Sequence, residues 1–265
     1  MTMMPETFPG FDGLPLALTR IGPDPAAAGT PARTVVLLHG LFSNAQINWV
    51  RFGTAAQLAD AGFACVMPDL RAHGGSAAPH DAAAYPPDVL ARDLAALVAH
   101  LGLTDFDLVG FSLGARTAAR SVLRGVRPRR LVLAGMGLEG LSGWAGRSAF
   151  FRDVIDRFGT VRPGDPAYTA QQFLKSTGAD RVALRLLLDT MDDTAPAALA
   201  AITMPTLVVC GDKDNDNGSA DRLAQALPHA QRATIRGTHM SSVTLPDLGA
   251  ALVAFLAHDA VGGGG

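Results

Sequence analysis

The stretch of this chain best suited to chemistry is Gly110-Phe111-Ser112-Leu113-Gly114. It lies between an apolar run at 106–109, which reads as a buried strand, and residues 115–122, which read as a helix. A Gly-x-Ser-x-Gly pattern in that context is a nucleophile elbow. The turn is too sharp for large side chains two positions either side of the serine, and it lifts the hydroxyl above the sheet edge. The helix that follows aims its electropositive N-terminus at whatever Ser112 attacks. Chains rich in Gly and Ala produce this pattern by chance, so its surroundings have to carry the reading.

Those surroundings are a regular alternation. Residues 13–21 alternate loosely and suit a half-exposed strand, and 23–33 read as a Pro/Ala/Gly loop. Residues 34–38, 63–67, 106–109 and 130–134 are continuous apolar runs, the mark of strands covered on both faces. Helical patterns at 48–61, 87–101 and 115–122 separate them. This rhythm predicts an α/β fold with a mostly parallel central sheet and right-handed crossovers. It breaks from 135 to about 202, where helical patterns at 148–158, 169–176 and 180–191 predict a helical insertion. It resumes with strands at 205–211 and 232–235 and helices at 219–227 and 246–258. The expected organisation is a core of residues 1–136 and 203–261, a helical segment of residues 137–202, and a flexible glycine tail at 262–265.

Three further segments follow strands: His39-Gly40-Leu41-Phe42, Gly211-Asp212-Lys213-Asp214 and Gly237-Thr238-His239-Met240. With the elbow, they make the chain resemble the α/β-hydrolases of the esterase, lipase and carboxylester-hydrolase kind over nearly its whole length. The order in that family is nucleophile, acid, histidine. The resemblance implies Ser112 as nucleophile, His239 as general base and Asp214 as the acid that orients it. Asp212 and Asp216 in the same loop, and Glu139 after the preceding strand, are the alternative acids. It also implies that the backbone N–H groups of Leu41 and Leu113 form the oxyanion hole, where losing one donor typically costs about 10²–10³ in rate. The family more often has Gly directly before the histidine, where this chain has Thr238.

The other six histidines are His39, His73, His80, His100, His229 and His258. His39 is expected to be a structural hydrogen-bonder. His73 sits in a loop motif, Asp69-x-Arg71-x-His73-Gly74-x-Ser76, that is mostly structural in the family. The helical insertion should cap the serine. Its apolar residues include Leu138, Leu141, Trp144, Phe150, Phe151, Phe158, Tyr168, Phe173, Leu186, Leu187 and Met191. The candidates for a substrate pocket are Phe42, Trp49, Phe111, Leu138, Trp144 and Met240.

Composition narrows the partners. The chain has 265 residues, 48% hydrophobic and 17% charged, with a formal net charge of −2. That balance excludes a disordered polyelectrolyte and disfavours nucleic acid or an anionic membrane as partner. Cys65 and Cys210 lie in apolar runs and read as buried free thiols. Residues 1–10 lack a basic-then-apolar leader and no stretch is long enough to span a bilayer, so a cytoplasmic protein is expected. No spaced Cys/His ligand set and no phosphate-binding glycine loop is present, so neither metal nor cofactor is expected. The expected activity is hydrolysis of a small to medium, largely apolar carboxylic ester through an acyl-enzyme. Lactonase, amidase, C–C hydrolase, perhydrolase and acyltransferase chemistry are the alternatives on the same site, and a hydrolase-like ligand receptor is the alternative without turnover.

Overall fold

The computed structural model describes residues 6–23 and 32–258. The readings made for 1–5, 24–31 and 262–265 fall outside these residues. The strands are β1 (Glu6–Pro9), β2 (Pro15–Ile21), β3 (Arg33–Leu38), β4 (Phe63–Pro68), β5 (Phe106–Phe111), β6 (Arg130–Ala134), β7 (Thr206–Gly211) and β8 (Ala230–Ile235). They form one sheet in the order β1-β2-β4-β3-β5-β6-β7-β8. The β1–β2 and β2–β4 pairs are antiparallel, and all pairs from β4 through β8 are parallel.

The apolar runs become strands buried on both faces because successive side chains point to opposite sides. Val36 and Leu38 join one apolar layer, Val35 and Leu37 the other. Leu131 and Leu133 oppose Val132 and Ala134 in the same way, and Val208 and Cys210 oppose Leu207 and Val209. Both cysteines are free and buried, and desolvation raises the Cys65 thiol to about 12 and that of Cys210 to about 11.

Helices close both faces. The first four are α1 (Thr54–Asp60), α2 (Val89–His100), α3 (Leu113–Leu123) and α4 (Leu138–Ser142). The next three are α5 (Trp144–Asp156), α6 (Tyr168–Thr177) and α7 (Arg181–Asp189), and α8 (Ala220–Ala226), α9 (His239–Ser242) and α10 (Pro246–Ala257) complete the set. Ala55 and Leu58 of α1 and Leu248, Leu252 and Leu256 of α10 cover one face. Leu94 and Leu97 of α2, Ala115 and Ala118 of α3 and Leu223 of α8 cover the other. Helices α4 to α7 all lie between β6 and β7. Arg116 of α3 anchors this segment from below. Its buried guanidinium donates to the carbonyls of Gly140 and Leu141, both at 3.0 Å, and to that of Asp192.

Two elements differ from the sequence reading. Strand β1 was not anticipated, because of its four residues only Phe8 is buried and no periodicity can show. It is tied in by its pairing with β2 and by Phe8 in the core, and just beyond it Asp12 pairs at 2.7 Å with fully buried Arg71, which pairs with Asp93 of α2 at 2.8 Å. The helix expected at 48–61 is broken. Gln46–Val50 forms a wide turn in which Arg51 N–H donates to Gln46 C=O at 2.8 Å, and Gly53, at φ 84°, then redirects the chain into α1. Only a residue without Cβ takes that left-handed backbone at little cost.

Candidate active site

Ser112 stands between β5 and α3 at φ 53° and ψ −111°, a backbone state that costs on the order of 1–3 kcal/mol. Packing holds it there. A Cβ on Gly110 would lie 2.2 Å from the carbonyl oxygen of Gly114, and one on Gly114 would lie 2.0 Å from that of Leu38. The elbow glycines are therefore required by close backbone approach, the second one against the neighbouring strand β3. Ser112 N–H donates to Ala134 C=O at 2.9 Å and fastens the turn to β6.

Three side chains from distant parts of the chain form a hydrogen-bonded row. His239 Nε2 is 3.0 Å from Ser112 Oγ, and His239 Nδ1 is 3.0 Å from Asp214 Oδ2. Asp214's side chain is 2% exposed. The other acids have different duties. Asp212 accepts Gly237 N–H at 2.8 Å, which stitches the loop after β7 to the turn before His239. Glu139 accepts Ser219 N–H at 2.7 Å and pairs with Arg222. Asp216 is exposed and lines the cavity in front of the row. Asp214, Asp216 and His239 are also the described residues whose ligand atoms come within 4.8 Å of one another, as a metal would require. His239 Nδ1 and Asp214 Oδ2 already face each other there.

Thr238, the departure before His239, has a local function. It caps α9: Thr238 N–H donates to Ser241 Oγ at 2.8 Å and Ser241 N–H to Thr238 Oγ1 at 3.3 Å. This reciprocal cap fixes His239 at the first position of the helix.

The His39 loop is set by buried hydrogen bonds. His39 Nδ1–H donates to Gly40 C=O at 2.8 Å, and Nε2 accepts Leu70 N–H at 2.9 Å. Burial pushes this imidazole down to about 4, so it is neutral. Because the C=O and N–H of a trans peptide point opposite ways, holding the Gly40 carbonyl on His39 turns Leu41 N–H to the other side. Asn48 Oδ1 accepts Gly40 N–H at 3.0 Å and completes the clamp, a role the sequence did not signal. Leu41 and Leu113 both line a small cavity of about 20 Å³ beside Ser112. No protein acceptor takes either N–H among the described residues.

A larger cavity of about 620 Å³ opens over Ser112 and His239. Of the pocket candidates, Phe42, Phe111 and Met240 line it, and Trp144 lines the smaller cavity. Trp49 and Leu138 line neither. The wide turn at 46–50 gives Asn48 to the Gly40 clamp and sends Trp49, fully buried, into the core with Val35 and Leu37. Leu138 starts α4 and is packed into the layer on the other face. From the helical segment, Phe150, Phe151 and Phe173 reach the large cavity, whereas Leu141 and Leu187 are fully buried packing. Ile47, Phe52 and Arg147 also line it, and nothing in the sequence pattern singled them out.

Residues 33–142 match the family described as the alpha/beta hydrolase fold. A solved esterase from Exiguobacterium antarcticum superposes with a TM-score of 0.72, at 21% identity over 96% of this chain and 100% of that one. This chain has the α/β-hydrolase fold. Among curated relatives, the AB hydrolase superfamily protein YisY of Bacillus subtilis is 28% identical over 69% of the chain and 74% of its own length. An epoxide hydrolase of Caballeronia sordidicola is 34% identical over 45% of the chain, a match that spans 32% of that relative. Among the described residues, no helix is long and apolar enough to cross a membrane.

Proposed function

We propose that this chain is a serine hydrolase that cleaves a small to medium carboxylic ester, with Ser112, His239 and Asp214 as its catalytic residues. The observation that carries the reading is His239 bridging Ser112 Oγ and Asp214 Oδ2 at 3.0 Å on each side. The Ser112 oxygen attacks the ester carbonyl as its proton passes to His239 Nε2. The negative charge that develops on the carbonyl oxygen is held by the N–H groups of Leu41 and Leu113. Collapse expels the alcohol, which takes the proton from His239. Water then gives a proton to His239 and attacks the acyl carbonyl, and a second collapse releases the acid and restores Ser112. Asp214 holds the tautomer with Nε2 free and stabilises the imidazolium. These steps require no cofactor.

Serine chemistry separates this reading from that of the epoxide hydrolase relative. Attack of a serine oxygen on an epoxide carbon would leave an ether, with no carbonyl for water to attack. Attack on a carboxylic ester leaves an ester, which water can cleave. Helices α4 to α7 are proposed to act as the cap that shields this chemistry and shapes the pocket through Phe150, Phe151 and Phe173. The test is initial rates on p-nitrophenyl esters of increasing acyl length, wild type beside Ser112→Ala. Ser112-dependent turnover with an optimum length is expected. Equal rates in the two proteins would refute Ser112 as nucleophile.

A further inference from the structure

Three arginines of the cap differ in how their charge is met. Arg152 of α5 pairs with Asp189 at 2.8 Å, and Arg157, just past its end, pairs with Asp153 at 2.8 Å and with Asp165. Arg147, also on α5, has no hydrogen bond or ion pair among the described residues. It is half-buried, with its guanidinium 5.4 Å from the centre of the Phe151 ring. It lines both the large cavity and the small one beside Ser112. Asp214 and Asp216 act on it through space without contact, and Asp214 is turned to His239. Arg51, exposed and stacked on Phe52, adds a second cation to the cavity wall with no ion pair of its own among the described residues. The cavity wall thus holds more positive charge than its one carboxylate there, Asp216, can meet.

A guanidinium partly removed from water without an anion carries a desolvation cost that a bound anion would relieve. Its planar fork matches a carboxylate with two parallel hydrogen bonds. Position narrows the choice further. Arg147 shares the small cavity with Ser112, Leu41 and Leu113, and His239 does not line that cavity. The cavity is small, about 20 Å³, so a group that meets Arg147 there lies only a few bonds from a carbonyl carbon held at Ser112. The leaving alcohol departs towards His239, which protonates it, so the group facing Arg147 belongs to the acyl side. We propose that the substrate carries a carboxylate on its acyl portion, a few bonds from the reacting carbonyl, and that Arg147 binds it. This rests on the ester-hydrolase reading and narrows its substrate class from apolar esters to half-esters of dicarboxylic acids and their close relatives.

The test compares monomethyl glutarate with methyl 5-methylhexanoate, in which an isopropyl group replaces the carboxylate. The ratio of their kcat/KM values is measured for wild type, Arg147→Ala and Arg147→Lys. The ratio cancels packing losses that affect both esters. Arg147→Ala should lower it about 10- to 100-fold, the range of a charge-assisted hydrogen-bonded contact, and Arg147→Lys should restore part of it. A ratio unmoved by Arg147→Ala while Ser112-dependent hydrolysis persists overturns the proposal and leaves the hydrolase reading standing. A second readout is independent of turnover: calorimetric titration of both esters into Ser112→Ala and Ser112→Ala/Arg147→Ala protein. Arg147-dependent preference for the half-ester, with no Ser112-dependent cleavage of any ester by the native chain, would retain the carboxylate site and refute the hydrolase reading. Absence of that preference in both readouts refutes the site.

Discussion

Replacing Asp214 by Asn tests the proposed mechanism most sharply, because the structure dictates how the new amide must sit. Asp214 uses both oxygens: Oδ1 accepts Asp216 N–H at 3.2 Å and Oδ2 faces His239 Nδ1 at 3.0 Å. In Asp214→Asn the amide oxygen is needed where Oδ1 was, since only an oxygen accepts the Asp216 N–H. The NH₂ group then faces His239 and forces Nδ1 to accept. The imidazole proton moves to Nε2, the atom 3.0 Å from Ser112 Oγ that must be free to take the serine proton. The variant also loses the carboxylate that stabilises the imidazolium, at a site where the side chain is 2% exposed and water cannot substitute. A wrong tautomer of this kind lowers kcat by about 10³–10⁴, or about 4–5.5 kcal/mol of transition-state stabilisation. The assay is kcat on the best p-nitrophenyl ester, with far-UV dichroism to establish folding and Asp212→Asn as companion. Asp212 only accepts Gly237 N–H, so its variant should lose less than about tenfold, the worth of one ordering hydrogen bond. An Asp214→Asn enzyme within tenfold of wild type, or an Asp212→Asn enzyme as impaired, refutes the reasoning.

Three further outcomes are expected. Ser112→Gly should abolish ester hydrolysis yet raise the unfolding free energy by about 1 kcal/mol, since glycine relieves the φ 53° backbone at some entropic cost; a destabilised variant in urea melts would count against strain at the elbow. Thr238→Val should cost about 1 kcal/mol of stability by removing the cap of α9, and should lower kcat more than it changes KM because His239 loses its anchor; an unchanged kcat would show that the cap does not position it. Burial pushes His39 down to about 4 and His73 to about 3, so between pH 6.5 and 4 the unfolded chain binds protons that the folded one refuses. Stability is then complete above pH 6.5 and falls with acidification, by about 2 kcal/mol per ring at pH 5; a urea midpoint that stays flat from pH 7.5 to 5 would contradict this.

Some of this protein could be read from residues near one another in the chain, and the physical reason is local. A strand covered on both faces has no polar side to display, so residues 34–38, 106–109, 130–134 and 205–211 announce themselves as largely apolar runs, with Asp107 and Arg130 as their only charged side chains. The elbow is equally local, because the sharpness of the turn at Ser112 excludes side chains at Gly110 and Gly114 whatever else the chain does. Strand β1 shows the limit: with one buried residue in four, its place is decided by pairing with β2 and by Phe8 entering the core rather than by its own pattern.

The rest was decided only when distant segments met. The resemblance singles out Asp214 over Asp212, Asp216 and Glu139, but the physical reason that this carboxylate faces His239 does not lie in its neighbours along the chain. That orientation depends on the loop after β7 being stitched to the turn after β8, which turns Asp212 to a backbone N–H and Asp214 to the imidazole. Trp49 looks as suited to a pocket as Phe42, but one wide turn and Gly53 send it into the core. Arg147 is one arginine among many until folding gives its neighbours acidic partners and leaves it half-buried beside Ser112 without one. The type of chemistry is a property of residues close in the chain. Which carboxylate faces the imidazole, and what charge the cavity wall presents, are properties of side chains brought together from 25 residues apart, as Asp214 and His239 are, or from 127, as Ser112 and His239 are.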